Sequence, residues 1–163
     1  MAEPTTDFVA RYGAIYENSP WVAQRAERHV AGCRDIDTIA TVMADCVNNA
    51  ALDEQLELIR AHPDLAVRAQ TAGKLTAESR SEQARAGLDQ CTKEEFEKFQ
   101  ILNRAYREKF GFPFVMAVRD SNRAAILAAF EARLGNESTT EFETALAEIH
   151  KIARLRLDAI EAA

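Results

Sequence analysis

Long apolar runs are missing from the 163-residue chain: none approaches the roughly 18 to 20 residues that a membrane-spanning helix needs, so no membrane role is expected. A basic surplus is missing too. Lys and Arg number 20 against 26 Asp and Glu, a formal net charge of -6, whereas nucleic-acid phosphates select basic surfaces. The six glycines are never clustered, which excludes a Walker-type or dinucleotide-type phosphate loop. Three cysteines, Cys33, Cys46 and Cys91, are an odd number at wide spacing and suit reduced thiols in a cytoplasm better than a disulfide framework. None of the histidines His29, His62 and His150 sits with another His or a Cys at ligand spacing, and there is no His-Glu-x-x-His or Cys-x-x-Cys. Glu148 and His150 are two apart and face different ways on a helix. No metal is therefore expected. Met1-Ala2-Glu3-Pro4 shows no signal-peptide pattern and Ile160-Glu161-Ala162-Ala163 is no peroxisomal ending, so a cytoplasmic location is the expectation.

What is present is ordinary soluble composition, 47% hydrophobic and 28% charged, in a length that suits one domain over residues 1–163. Thr5 or Thr6 caps a first helix with Phe8, Val9, Tyr12, Ile15 and Tyr16 on one face. Ser19 and Pro20 read as N-cap and first position of a second helix, ended by Gly32. Asp37 caps a third, with Ile39, Val42, Met43, Cys46 and Val47. Leu52, Leu56 and Ile59 stripe a fourth, which stops at His62 because Pro63 disfavours helical backbone there. Gly73-Lys74-Leu75 is a turn, and a helix runs from about Thr76 or Ser79 to Leu88. Thr92 with Glu95 makes a capping box for a long helix bearing Phe96, Phe99, Asn103, Tyr106 and Phe110, closed by Gly111. Ser121 or Asn122 opens a helix through Leu134. Ser138 with Glu141 makes a further capping box for the last one. Between these helices, residues 112–118 form an apolar run without helical spacing, read as a buried extended segment. The fold class is all-α: a single compact bundle-like domain of about seven to nine helices with one buried extended segment.

Three stretches carry candidate chemistry. His62 ends a helix next to a rigid Pro63; the helix dipole alone accounts for a His there, and an acid/base role is the functional alternative. Ser79-Arg80-Ser81-Glu82-Gln83 is a capping box by its letters, and equally a helical first turn offering amides and polar side chains to a ligand. Phe114 to Val118 offers backbone groups that no helix uses, and Arg119 ends the run where it could hold a carboxylate. Cys46 and Cys91 have no neighbouring base to make either a nucleophile.

Taken together, His62-Pro63-Asp64-Leu65-Ala66, Leu75-Thr76-Ala77-Glu78-Ser79-Arg80-Ser81-Glu82-Gln83 and Asn103-x-x-Tyr106-x-x-Lys109-Phe110-Gly111-Phe112-Pro113-Phe114-Val115 resemble the OHCU decarboxylase family. OHCU is 2-oxo-4-hydroxy-4-carboxy-5-ureidoimidazoline. The opening around Phe8 and Pro20-Trp21 and the ending Ile149-His150-Lys151-Ile152-Ala153-Arg154-Leu155-Arg156-Leu157 are similar too. The resemblance implies a helical, homodimeric, cofactor-free enzyme that forms (S)-allantoin at the end of urate oxidation. It places the family's catalytic His on His62 and a prominent contact on Glu82, which on chemical grounds is the carboxylate expected to poise His62. It places substrate contacts on Pro63, Ser79, Arg80, Ser81, Gln83 and the backbone of Phe114, Val115, Met116, Ala117 and Val118. Arg119 and Arg154 are both open as partners of the substrate carboxylate. Residues 67 and 120 depart from the family's Gly, as Val67 and Asp120. The competing classes are a helical ligand-binding module and a non-catalytic interaction domain; no basic recognition helix supports DNA binding.

Overall fold

The computed structural model of the chain describes residues 4–30, 32–66 and 75–162. Among these are eight α-helices and no β-strand. They are α1 (Pro4–Tyr12), α2 (Trp21–Val30), α3 (Ile36–Asn48), α4 (Leu52–Arg60), α5 (Ala77–Arg85), α6 (Lys93–Phe110), α7 (Arg123–Leu134) and α8 (Ser138–Ala162). A short 3-10 turn covers Leu88–Gln90. The all-α expectation holds. So does the extended run: 113–118 has no regular secondary structure, and Phe112, Phe114, Val115 and Val118 are buried. The turn expected at Gly73 and Lys74 lies outside the described residues. The chain forms two compact units, Met1–Ala61 with Ile149–Ala163, and His62–Glu148.

In the first unit, α1 starts at Pro4, ahead of the expected cap, and stops at Tyr12. The Gly13 amide closes the last turn on the Val9 carbonyl at 2.7 Å, and Asn18 adopts a φ of 46° in the loop that follows. Ile15 and Tyr16 are therefore not on the α1 stripe, yet both are buried. Ser19 does not cap α2: its hydroxyl donates to the Glu17 carbonyl at 2.8 Å. The cap of α3 is Asp35 and not Asp37, its carboxylate accepting from the Thr38 amide at 3.0 Å. Leu52 is not on a core stripe either, being 63% exposed, while Leu58 and Ile59 carry the buried face of α4. Two polar contacts tie the 13–19 loop to the C-terminal half of α8. Arg156 meets Glu17 at 3.0 Å in a buried ion pair, and the Tyr16 hydroxyl meets His150 Nδ1 at 2.8 Å. The other ring nitrogen, Nε2, lies 3.0 Å from Asn48 Oδ1.

The second unit is built around Tyr106. Its ring centroid lies 4.5 Å from Phe110, 5.5 Å from Phe114 and 5.8 Å from Phe130, and Phe114 stacks on Phe130 at 3.9 Å. Edge-on and offset ring pairs of this kind add about 0.5–1.5 kcal/mol each beyond burial. The Tyr106 hydroxyl donates to Glu141 at 2.5 Å. Glu141 is fully buried and also accepts from Arg133 Nε and Asn136 Nδ2, both at 2.9 Å. The expected capping role for Glu141 is thus overturned. A carboxylate this deep needs donors, and three of them meet it inside the unit. By contrast, Thr92 with Glu95 does form the expected box on α6, and Gly111 closes that helix at a φ of 79°. Asn122 caps α7.

Two outcomes are expected. Removing one member of the buried Glu141–Arg133 pair strands the other, which costs about 3–5 kcal/mol; Glu141→Leu should therefore lose that much in urea unfolding, and Glu141→Leu with Arg133→Met should recover part of it. Burial holds the His150 imidazole below its ordinary pKa. The folded state then favours the neutral ring, so the stability it contributes is full above the unfolded value of about 6.5 and is lost as pH falls through the folded pKa. The urea midpoint should fall from pH 7 to pH 5, and less steeply in His150→Gln.

Candidate active site

The candidate residues of the second unit lie in three pieces. The first is the stretch after α4, where Ala61 closes the helix on Glu57 at 2.9 Å and His62 follows, buried at 6% exposure. Pro63 and Asp64 continue without helical structure, and Ala66 takes a φ of 57°, the left-handed region, which costs a non-glycine residue about 1–2 kcal/mol. The second piece is α5. Its N-cap is Thr76, whose hydroxyl accepts from the Ser79 amide at 3.1 Å. Ser79 is thus the third residue of the helix and not its cap, correcting the capping-box reading of Ser79 and Glu82. The shift puts Ser79, Glu82 and Gln83 three and four residues apart on one face. Ser79 and Gln83 are buried and Glu82 half-buried, while Arg80 and Ser81 are exposed.

Gln83 joins these two pieces. Its Oε1 accepts from the Ala66 amide and its Nε2 donates to the Asp64 carbonyl, both at 3.1 Å. The side chain expected to contact substrate is therefore committed on both ends to the backbone that follows His62.

The third piece is the extended segment. Arg133 Nη1 donates to the Val115 carbonyl at 2.7 Å, and the guanidinium lies 4.4 Å from the centre of the Phe114 ring. Glu148 accepts from the Ala117 amide at 3.0 Å, and the Val118 carbonyl accepts from Ser121 at 2.9 Å. Three backbone groups expected to be available for a ligand are thus taken by the protein. Met116 lies between the anchored Val115 and Ala117 and is half-buried. Arg119 follows, half-buried, in the turn at the end of the segment.

Arg154 belongs to the first unit. It is exposed and bonds Asp37 at 2.7 Å and Asp158 at 3.0 Å, and it lines a cavity of about 230 Å³ with Tyr16, Thr41 and His150. Burial raises the pKa of Cys46 and Cys91, which keeps both as thiols and not thiolate nucleophiles. Sequence reasoning missed the residues that hold the site: Arg133, Glu141, Glu148 and Gln100. Only Asn103 left a signal, as a polar residue on the buried stripe of α6 with Phe99, Leu102 and Tyr106.

A family model described as OHCU decarboxylase matches residues 1–158. The chain belongs to the OHCU decarboxylase family. It is 49% identical to the 2-oxo-4-hydroxy-4-carboxy-5-ureidoimidazoline decarboxylase of Haloferax volcanii, with 92% of this chain and 86% of that protein covered. The enzyme of the same name from Halalkalicoccus jeotgali is 46% identical, over 93% and 83% of the two chains. Among solved structures, an (S)-allantoin synthase superposes with a TM-score of 0.77 at 33% identity. That alignment covers 97% of this chain and 51% of the synthase, so the chain spans about half of that protein.

The corrected start of α5 has a measurable consequence. Losing a Thr N-cap costs about 1 kcal/mol, so Thr76→Ala should lower the urea unfolding free energy by that amount. It should also speed amide exchange at Ser79. Unchanged exchange there would return the cap to Ser79.

Proposed function

We propose that the chain decarboxylates 2-oxo-4-hydroxy-4-carboxy-5-ureidoimidazoline to (S)-allantoin in urate degradation. The reading is supported by family membership over residues 1–158. The observation that carries it is the joining of the buried His62 stretch to the Ser79, Glu82 and Gln83 face of α5 through the two Gln83 hydrogen bonds.

The reaction suits a site with one acid/base and many amide-recognising groups. The substrate's carboxylate sits on a carbon that bears a hydroxyl and adjoins a ring C=N. When the bond to CO2 breaks, its electron pair forms a carbon–carbon double bond, the imine π pair moves to nitrogen, and nitrogen takes a proton. The electron sink is part of the substrate, so the chemistry asks for no added cofactor. The enol that results loses its hydroxyl proton and gains one at the ureido-bearing carbon. Delivery from one face gives one enantiomer. His62 takes the role of acid/base, since an imidazole ionises near neutral pH. Glu82 poises it, and Pro63 fixes its backbone. Ser79, the remaining N–H of Gln83 and backbone groups of the Phe114 to Val118 segment orient ring and ureido amides. Arg119 or Arg154 neutralises the carboxylate.

The chain acts as one domain, since the family match runs through both compact units, as a homodimer, as the family resemblance implies, and in the cytoplasm, as its cysteine pattern suggests. Light scattering on an eluting column peak that gives the mass of one chain would reject the dimer.

The central test generates the substrate from urate with urate oxidase and hydroxyisourate hydrolase and follows the circular dichroism of allantoin. The protein should accelerate formation of the (S) enantiomer over the spontaneous racemic reaction. His62→Asn should lose about 10²–10⁴-fold in rate, the usual contribution of a positioned acid/base. A His62→Asn protein that still yields (S)-allantoin at the wild-type rate would remove His62 from the mechanism.

A further inference from the structure

His62 does not sit in a helix, and the backbone that continues from it is residues 63–66. That backbone is held by three carboxamides. Gln83 takes the Asp64 carbonyl and the Ala66 amide. Asn103 Nδ2 donates to the Leu65 carbonyl at 3.0 Å, and Gln100 Nε2 donates to the Ala66 carbonyl at 3.0 Å. Arg107, on the same α6 stripe, adds an ion pair to the Asp64 side chain at 2.9 Å. Gln100, Asn103 and Arg107 are three and four residues apart, so one helix face meets residues 66, 65 and 64 in reverse order. The loop therefore runs antiparallel along α6, one rung per residue.

We infer that Asn103 and Gln100 are positioning residues that fix the imidazole of His62 through the backbone of Leu65 and Ala66. This inference rests on the catalytic reading of His62. Two features favour positioning over mere stability. Asn103 is 5% exposed, and its Oδ1 has no hydrogen-bond partner among the described residues. The amide satisfies the Leu65 carbonyl at the expense of its own oxygen, whereas leucine would remove the orphaned oxygen and strand that carbonyl, so the two nearly balance in stability. The clamp is also uncharged wherever it touches backbone. A carboxylate or ammonium in those places would add a charge beside the imidazole, whereas a carboxamide holds the chain without one. Ala66 in left-handed backbone gives the clamp something to restrain, since that conformation persists only where its surroundings impose it.

The test uses the full chain and the coupled allantoin assay on wild type, Asn103→Leu and Gln100→Met, both near-isosteric. A misplacement of about 1 Å at a reacting group costs about 10²-fold. Asn103→Leu should therefore lose about 10²-fold in kcat with KM changed much less, and Gln100→Met should lose less. Both should keep the wild-type pH profile of kcat, because no charge is altered. The decisive readout is the enantiomeric excess of the enzyme-formed allantoin after subtraction of the spontaneous product. A misplaced imidazole donates more slowly, so water competes to protonate the enol from either face and the excess should fall, whereas a variant that merely unfolds in part yields less product of unchanged excess. Gln100 is half-buried, so Gln100→Met decides the matter should Asn103→Leu not fold. Wild-type kcat and enantiomeric excess in the folded variants would overturn the clamp and leave the decarboxylase reading standing. A wild-type chain that fails to accelerate (S)-allantoin formation would overturn both.

Discussion

A helix satisfies its own backbone, and a helical protein that needs a stretch of other backbone inside must satisfy it some other way. Residues 62–66 and 112–118 face that constraint here. Neither can pair as a strand, since no strand exists among the described residues. Each is met by side chains reaching in from neighbouring helices: carboxamides of Gln83, Gln100 and Asn103 for the first, Arg133 and Glu148 for the second. Much of the polar burial of the second unit follows from this. The Arg133 side chain, 12% exposed, reaches in to Val115, a guanidinium so far out of water is met by a carboxylate, and Glu141 is there, shared with Tyr106. The Tyr106 ring then anchors the phenylalanines that pack the segment.

Helix identity was legible in the chain because apolar spacing and caps are local signals. Thr92 with Glu95, Asn122 and Gly111 behave as their letters say. The extended run was legible for the same reason, as an apolar stretch of the wrong period. The misread ends share a cause: Ser79, Glu141, Ser19 and Asp37 all have the letters of caps. Letters alone do not say whether a polar side chain faces water or the interior. Thr76 precedes Ser79 by three residues and had an equal claim to the cap, and the helix takes the earlier one. Glu141 is decided by Arg133 and Tyr106, which come from other helices at distances no local pattern records.

Of the candidate site, the residue types and their grouping into three stretches were legible, chiefly through the resemblance they carry in combination. Their division of labour was not. Gln83 reads as a ligand contact in sequence, whereas in the fold both ends of its amide are bonded to backbone. Likewise the Val115 carbonyl and the Ala117 amide are spent within the protein.

The carboxamides address carbonyls that every residue type possesses and one amide that every type but proline possesses. Side-chain identity at Asp64 and Leu65 is thus invisible to the amide part of the clamp, while the identity of Gln83, Gln100 and Asn103 is what defines it. Mutational tolerance near His62 should therefore run opposite to sequence distance. Positions two or three residues away along the chain are permissive to the clamp. Positions some twenty to forty residues away, on α5 and α6, are the restrictive ones.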